Sequence, residues 1–291
     1  MSILRDIPRK MRVLVIGAGG MLGTDLGRAA EAAGHEVVAL DRAALDVTDG
    51  EAVETAVADA RPDAVFNCAA WTDVDGAEES ELEALRINGD GARNVAVAAT
   101  AAGAAVVLPS TDYVFDGTAD RPYVESDPTA PISAYGRTKL AGERETAAAN
   151  PRHFVVRTSW LFGLAGRNFV ETMLGLADRG EVTVVSDQVG CPTYTPHLAE
   201  GLLQLAITEQ YGVHHMSASG HVSWHGFAQA IFEEAGVECQ VRPTTTAELA
   251  RPAPRPSWSV LDTEWPDAVR LPEWRDGLRA YLASRTTTVS A

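Results

Sequence analysis

A short β-branched run, Arg12-Val-Leu-Val-Ile16, stops at the cluster Gly17-Ala-Gly-Gly20-Met21-Leu22-Gly23, and helically spaced apolar residues then continue over 21–33 until Gly34. Few folds accommodate that order. A strand that turns through glycines directly into a helix is the opening unit of a parallel α/β sheet, with the turn at the carboxyl edge. Gly17 permits the tight turn, Gly20 lets a pyrophosphate come against the backbone, and Gly23 lets the helix pack close on the sheet. The spacing G-x-x-G-x-x-G differs from the commonest dinucleotide fingerprint. The strand–turn–helix context therefore carries the expectation of nucleotide binding.

The alternation persists. Strands are expected at 35–40, 63–67, 105–108 and 153–157, and helices at 51–60, 78–102 and 133–149. Continuous apolar strands fit a parallel sheet covered on both faces, so the fold class is α/β, doubly wound, of the Rossmann kind. Past Trp160 the pattern loosens, with helices at 168–178, 196–209, 223–235 and 273–284 and a Pro/Arg-rich stretch at 251–256. This reads as a dinucleotide-binding domain over 11–159 and a smaller α/β substrate lobe over 160–286, with about 195–220 returning to the first domain. Residues 1–10 and 287–291 read as extensions, and the polar tail 285–291 as disordered. A crevice between the lobes, at the carboxyl ends of the strands, is the expected ligand site.

Composition limits the partners. With 24 Lys+Arg against 40 Asp+Glu, the net charge of −16 argues against a nucleic-acid partner, because a polyanion is repelled on average. No window holds the roughly 20 apolar residues that span a bilayer, and the glycine-rich start is not a cleavable leader. Cys68, Cys191 and Cys239 make no paired motif, so neither a disulfide framework nor a zinc site is expected. A cytoplasmic protein without a membrane partner is the consequent expectation. Only Lys10 and Lys139 are lysines.

Lys139 lies four residues after Tyr135 on an expected helix, one turn away on the same face. With six tyrosines, roughly 0.04 such pairs would arise by chance at this spacing. A phenol ordinarily titrates near 10, and an ammonium one turn away would lower it into a useful range. Ser110-Thr111-Asp112-Tyr113 follows the fourth strand, placing hydroxyls at the same sheet edge. At the end of the second strand, Asp41 suits ribose hydroxyls and Arg42 suits a 2′-phosphate, so NADPH or NADH is expected; Arg42 as a plain surface cation is the alternative. Asp46 and Val47 fall where a loop would cover the adenine. Arg157 reads as structural, paired with a buried acid, and His214 and His215 as packed residues rather than metal ligands.

Together the glycine turn, Thr111 and Tyr135-x-x-x-Lys139 resemble the extended short-chain dehydrogenase/reductase superfamily. Asn67-Cys-Ala-Ala-Trp-Thr-Asp-Val-Asp75, Ser110-Thr-Asp-Tyr-Val-Phe-Asp-Gly117, Arg157-Thr-Ser-Trp-Leu-Phe-Gly163, Asp187-Gln-Val-Gly-Cys-Pro-Thr193 and Arg255-Pro-Ser-Trp-Ser-Val-Leu-Asp262 narrow the resemblance to the dTDP-4-dehydrorhamnose reductase family. The resemblance implies that Tyr135 donates a proton to a C4 carbonyl oxygen, that Lys139 tunes it and holds the nicotinamide ribose, and that Thr111 stabilises the developing alkoxide. It places Ala69, Ala70 and Thr72 along the cofactor, and Thr72, Val74, Asp112, Tyr113 and Trp160 toward the sugar; Cys68 and Trp71 depart from its usual residues. A diphosphate needs local positive charge, for which Arg255 is the candidate.

The implied activity is NAD(P)H-dependent reduction of a dTDP-4-keto-6-deoxyhexose, dTDP-4-dehydro-L-rhamnose first. Some family members form metal-linked dimers; the acidic set that would hold the metal is not evident here, so no metal is expected and a homodimer stays open. Two alternatives remain. One is a reductase or epimerase for another nucleotide-4-keto-deoxysugar. The other is a non-catalytic regulatory subunit resembling that of methionine adenosyltransferase.

Overall fold

The structure, a computed structural model, describes residues 10–289, with side chains through Arg285. Residues 1–9 of the expected extension, and the last two of the tail, lie outside the described residues. The first half alternates β1 (Arg12–Ile16), α1 (Met21–Ala32), β2 (Glu36–Leu40), α2 (Gly50–Ala60), β3 (Ala64–Asn67), α3 (Val74–Glu79), α4 (Glu81–Leu85), α5 (Gly91–Ala101), β4 (Ala105–Thr111), α6 (Ala134–Ala149) and β5 (His153–Thr158). The second half runs β6 (Leu161–Phe162), α7 (Phe169–Leu176), β7 (Glu181–Val185), β8 (Val189–Gly190), β9 (Thr193–Tyr194), α8 (Thr195–Ala206), β10 (Gly212–His215), β11 (Val222–Ser223), α9 (Trp224–Ala235), β12 (Gln240–Thr244), α10 (Thr246–Leu249) and α11 (Trp274–Val289).

Six strands form one sheet in the order β10-β5-β4-β3-β1-β2, and every pairing in it is parallel. Strand side chains alternate between faces. Val13 and Val15 accordingly pack with Leu26 of α1 and Leu198 of α8, while Leu14 and Ile16 pack with Val53 of α2 and Val95 of α5. This is the doubly wound Rossmann architecture. Because all six strands point the same way, the loops that leave their carboxyl ends gather along one edge.

The other lobe has its own apolar core, centred on Phe162, Phe227, Ile231, Leu278 and Tyr281. Its strands pair as β7 with β12, parallel, and β8 with β11, antiparallel. Segment 195–215 leaves this lobe: α8 joins the core beneath the main sheet and β10 pairs with β5.

Two local expectations need correcting. The single helix over 78–102 is instead α3, α4, a π turn at Arg86–Asp90, and α5. Ser80, at φ −131° and ψ 42°, interrupts the first part. The π turn seats Asn88, whose Nδ2 donates to Thr138 Oγ1 at 3.0 Å and whose Oδ1 accepts from Trp71 N at 2.9 Å. The tail read as disordered continues α11 through Val289, tethered where Arg285 Nε meets Glu171 Oε1 at 2.8 Å. Among the described residues, no helix is long and apolar enough to cross a membrane.

Candidate active site

The glycine turn is shaped by lack of room. Gly17 sits at φ +78°, and a Cβ there would lie 2.6 Å from Ala69 N; one on Gly23 would lie 2.3 Å from Gly17 O. The turn is thus pressed on the end of β3, and α1 is pressed on the turn. Gly20 caps α1 without any side-chain hydrogen bond, which leaves the first N–H groups of a 12-residue helix pointing into the crevice with its positive dipole end.

One cavity of about 480 Å³ runs outward from this turn, lined by Gly17, Gly20, Asp41, Arg42, Asp46, Val47, Ala69 and Ala70. Asp41 Oδ1 also holds its own loop, accepting from Ala43 N at 3.0 Å and Ala44 N at 2.9 Å. Asp46 is drawn below the usual carboxylate range by hydrogen bonds from Thr48. Arg86, which the sequence reading passed over inside its long helix, lines the same cavity beside Glu83. Arg42 makes no ion pair among the described residues.

A second cavity, of about 490 Å³, continues from Gly20, Met21, Leu22 and Gly23 to Thr72, Thr111, Asp112, Tyr135, Lys139 and Trp160. Helix α6 is driven onto this edge by its own glycines. A Cβ on Gly136 would stand 2.2 Å from Tyr113 O, and one on Gly142 would stand 2.1 Å from Asn88 O. Ser133 starts the helix by accepting from Gly136 N at 3.1 Å. Tyr135 consequently meets Tyr113 edge-to-face, with ring centroids 6.0 Å apart.

Electrostatics here follow burial. Burial pushes the Tyr135 phenol up to about 12, with hydrogen bonding from Thr111 opposing and the Asp112 charge adding to the rise. The expected lowering by Lys139 is absent from the resting site. Lys139 Nζ instead donates to Pro109 O at 2.8 Å, and burial brings its ammonium down to about 8 against the charges of Glu143 and Cys68. The Cys68 thiol is itself raised to about 12 by burial, with Lys139 opposing. Asp112 is raised to about 7 by burial, against hydrogen bonds from Ser259 and Thr111. Thr111 Oγ1 donates to Asp112 Oδ1 at 3.1 Å and accepts from Tyr113 N at 3.1 Å.

Behind Lys139, Glu143 accepts from the Ser110 hydroxyl and from Arg157 Nη2 at 2.9 Å. Both members of that ion pair have side chains 5% exposed. Arg157 therefore has the buried acid its position called for. His214 stacks on Trp265 and His215 lies edge-on to Phe115. Among the described residues, no group of three or more His, Cys, Asp or Glu is placed to hold a metal ion.

Other sugar-side residues are placed less uniformly. Val74 begins α3 and is not among the residues lining the second cavity. Arg255 is not among them either. It is clamped on Asp75, Nη1 to Oδ1 and Nη2 to Oδ2 both at 3.0 Å, and Arg251 binds the same carboxylate. Burial would raise Asp75, but Arg255 above all holds it down to about 2. The charges of Arg255 and Arg251 also reach the Tyr113 phenol, and Tyr113 is likewise not among the residues lining the second cavity. Arg167 was not singled out. It lines the second cavity together with the start of α1, on a loop that Asn168 closes by donating to Gly163 O at 2.8 Å. Its only sequence signal is a lone cation directly after Gly166.

Similarity to known proteins agrees with this geometry. Residues 11–287 match the family described as RmlD substrate binding domain. A dTDP-4-dehydrorhamnose reductase of Streptomyces griseus is 46% identical over 278 residues, 92% of this chain and 91% of that protein. The spore coat polysaccharide biosynthesis protein SpsK of Bacillus subtilis is 43% identical, covering 95% of this chain and 98% of its own. A crystal structure of dTDP-4-dehydrorhamnose reductase from Bacillus anthracis, in complex with NADP, superposes with a TM-score of 0.92 at 39% identity, covering 94% of this chain and 99% of that one.

Proposed function

Because the chain belongs to the RmlD substrate binding domain family, which it matches over residues 11–287, we propose that it reduces the C4 ketone of dTDP-4-dehydro-L-rhamnose to dTDP-L-rhamnose with NADPH or NADH. One observation carries the reading. Thr111, Tyr135 and Lys139 share a single cavity with the uncapped start of α1, so a hydride donor anchored at that helix and a proton donor face the same space.

The residues present fit a dinucleotide. Backbone N–H groups at α1 suit its diphosphate, the flush Gly17 leaves the turn open to it, and Arg42 with Arg86 offers positive charge where a 2′-phosphate would lie. Arg167 supplies a further cation in the cavity that the helix start also lines. When bound, the reduced dinucleotide supplies the hydride. Tyr135, fully protonated at neutral pH, holds the proton for the C4 oxygen, and Thr111 hydrogen-bonds that oxygen as negative charge develops on it. Lys139, whose Nζ is held by Pro109 O, lines the same cavity as the phenol and offers its ammonium to the nicotinamide ribose of a bound dinucleotide. Trp160 walls the sugar, Tyr113 packs edge-on against Tyr135, and the Asp75 clamp holds Arg255 and Arg251 within electrostatic reach of Tyr113. The negative outer surface is thus compatible with a locally basic cleft.

Purified protein given NADPH and a panel of dTDP-4-keto-6-deoxyhexoses tests the reading. Oxidation of one dinucleotide per sugar, fastest with the dehydrorhamnose, supports it. Retained dinucleotide with no net oxidation supports an epimerase instead. The same reading has the enzyme working in the cytoplasm on a small molecule rather than a nucleic acid, and sedimentation reports whether it does so as a homodimer.

A further inference from the structure

Trp160 is held in a conformation that its own chemistry disfavours. It has φ +49°, in the left-handed region that bulky residues avoid, and its indole Nε1 is buried without a hydrogen-bond partner among the described residues. Something outside the residue compensates. Its ring lies flat on Trp224, with centroids 3.6 Å apart and planes 6° from parallel. On another side Gly190 leaves space for it: a Cβ there would come 2.5 Å from Trp160 Cε2.

Trp224 is itself fixed from behind. It opens α9, whose Ser223 cap accepts from Gly226 N at 3.0 Å, and Phe169 packs against its ring with centroids 4.5 Å apart. Trp160 follows the end of β5 in the main sheet, whereas Trp224 belongs to the other lobe. The stack therefore joins the lobes at the wall of the catalytic cavity.

We propose that Trp224 is a positioning residue for the sugar substrate, acting through Trp160. It fixes the angle at which the Trp160 ring faces Thr111 and Tyr135, and so fixes how the deoxyhexose presents its C4 carbonyl to the phenol. This rests on the reductase reading for the identity of the sugar, though not for the geometry of the stack.

A double-mutant cycle tests it, using dTDP-4-dehydro-L-rhamnose and NADPH with Trp160→Phe, Trp224→Leu, Trp224→Phe and the combined Trp160→Phe/Trp224→Leu variant. Trp224→Leu should raise KM for the sugar about three- to tenfold, the fold-change an aromatic stack is worth, with the NADPH dissociation constant unchanged. Trp224→Phe should restore part of it. The combined variant should be no worse than Trp160→Phe alone, and the circular-dichroism couplet of two stacked indoles should vanish in all four. Effects of Trp224→Leu and Trp160→Phe that multiply, or a KM left unchanged when the couplet is lost, would overturn the proposal. If Trp224→Leu does not fold, the same cycle run with Trp224→Phe decides. Wild-type protein that binds NADPH but turns over no ketosugar would overturn the reductase reading and this proposal with it.

Discussion

Replacing Tyr135 by Phe removes one oxygen and leaves the packing intact. The ring would keep its edge-to-face contact with Tyr113, whose centroid is 6.0 Å away, and losing a hydroxyl alters stability by only about 1 kcal/mol. The catalytic effect should be far larger. With the phenol raised to about 12, roughly one molecule in 10⁵ is ionised at pH 7, so nearly every enzyme molecule carries the proton the reduction needs. Losing a general acid costs a factor of about 10²–10⁴ in kcat, equivalent to roughly 3–5 kcal/mol of barrier. The assay is steady-state oxidation of NADPH by saturating ketosugar, paired with NADPH binding followed by fluorescence. Turnover near the wild-type rate would refute the role given to Tyr135. A fall in kcat matched by an equal collapse of cofactor binding would refute the claim that the variant spares the cleft.

Three further outcomes follow from the same geometry. Lys139, lowered to about 8 by burial, loses its charge as pH rises through that value, so kcat should fall on the alkaline side near pH 8; the residual activity of Lys139→Met should lack that limb, and a limb that survives would assign it elsewhere. Glu143→Ala strands the buried Arg157, and should destabilise the fold by about 3–5 kcal/mol in urea unfolding; adding Arg157→Ala should recover part of the loss, and a loss no greater than an exposed pair gives would contradict the buried-pair account. Asp75 is held down to about 2, below its unfolded value of about 3.9, so the stability it contributes is complete above pH about 4 and is lost as pH falls toward 2. The stability gap between wild type and Asp75→Asn should narrow over that window, and a gap independent of pH would count against the clamp.

The sequence was most readable where local pattern and fold coincide. Continuous runs such as Arg12–Ile16 and His153–Thr158 are buried on both faces, as strands of a covered parallel sheet are. The turn at Gly17 and the Tyr135/Lys139 pair were readable for a related reason, since each is confined to a few consecutive residues with a fixed spacing. The break at Ser80 and the π turn at Arg86–Asp90 were not. The π turn seats Asn88, which reaches Thr138, 50 residues away in sequence, and periodicity cannot register such a contact. Arg255 is the diphosphate candidate on sequence alone because its partner, Asp75, is 180 residues away, beyond the reach of any local pattern. The expected action of Lys139 on Tyr135 followed helical spacing correctly but could not include Pro109 O, which takes the ammonium, nor the burial that governs both groups.

The central claim is that the cavity shared by α1, Thr111 and Tyr135 passes hydride to the sugar's C4. NADPH deuterated at both positions of nicotinamide C4, incubated with dTDP-4-dehydro-L-rhamnose, measures this directly by NMR of the product. The account predicts a single deuterium on C4 of the new dTDP-L-rhamnose for each dinucleotide oxidised. Product without deuterium at C4, or with deuterium on another carbon, would contradict it.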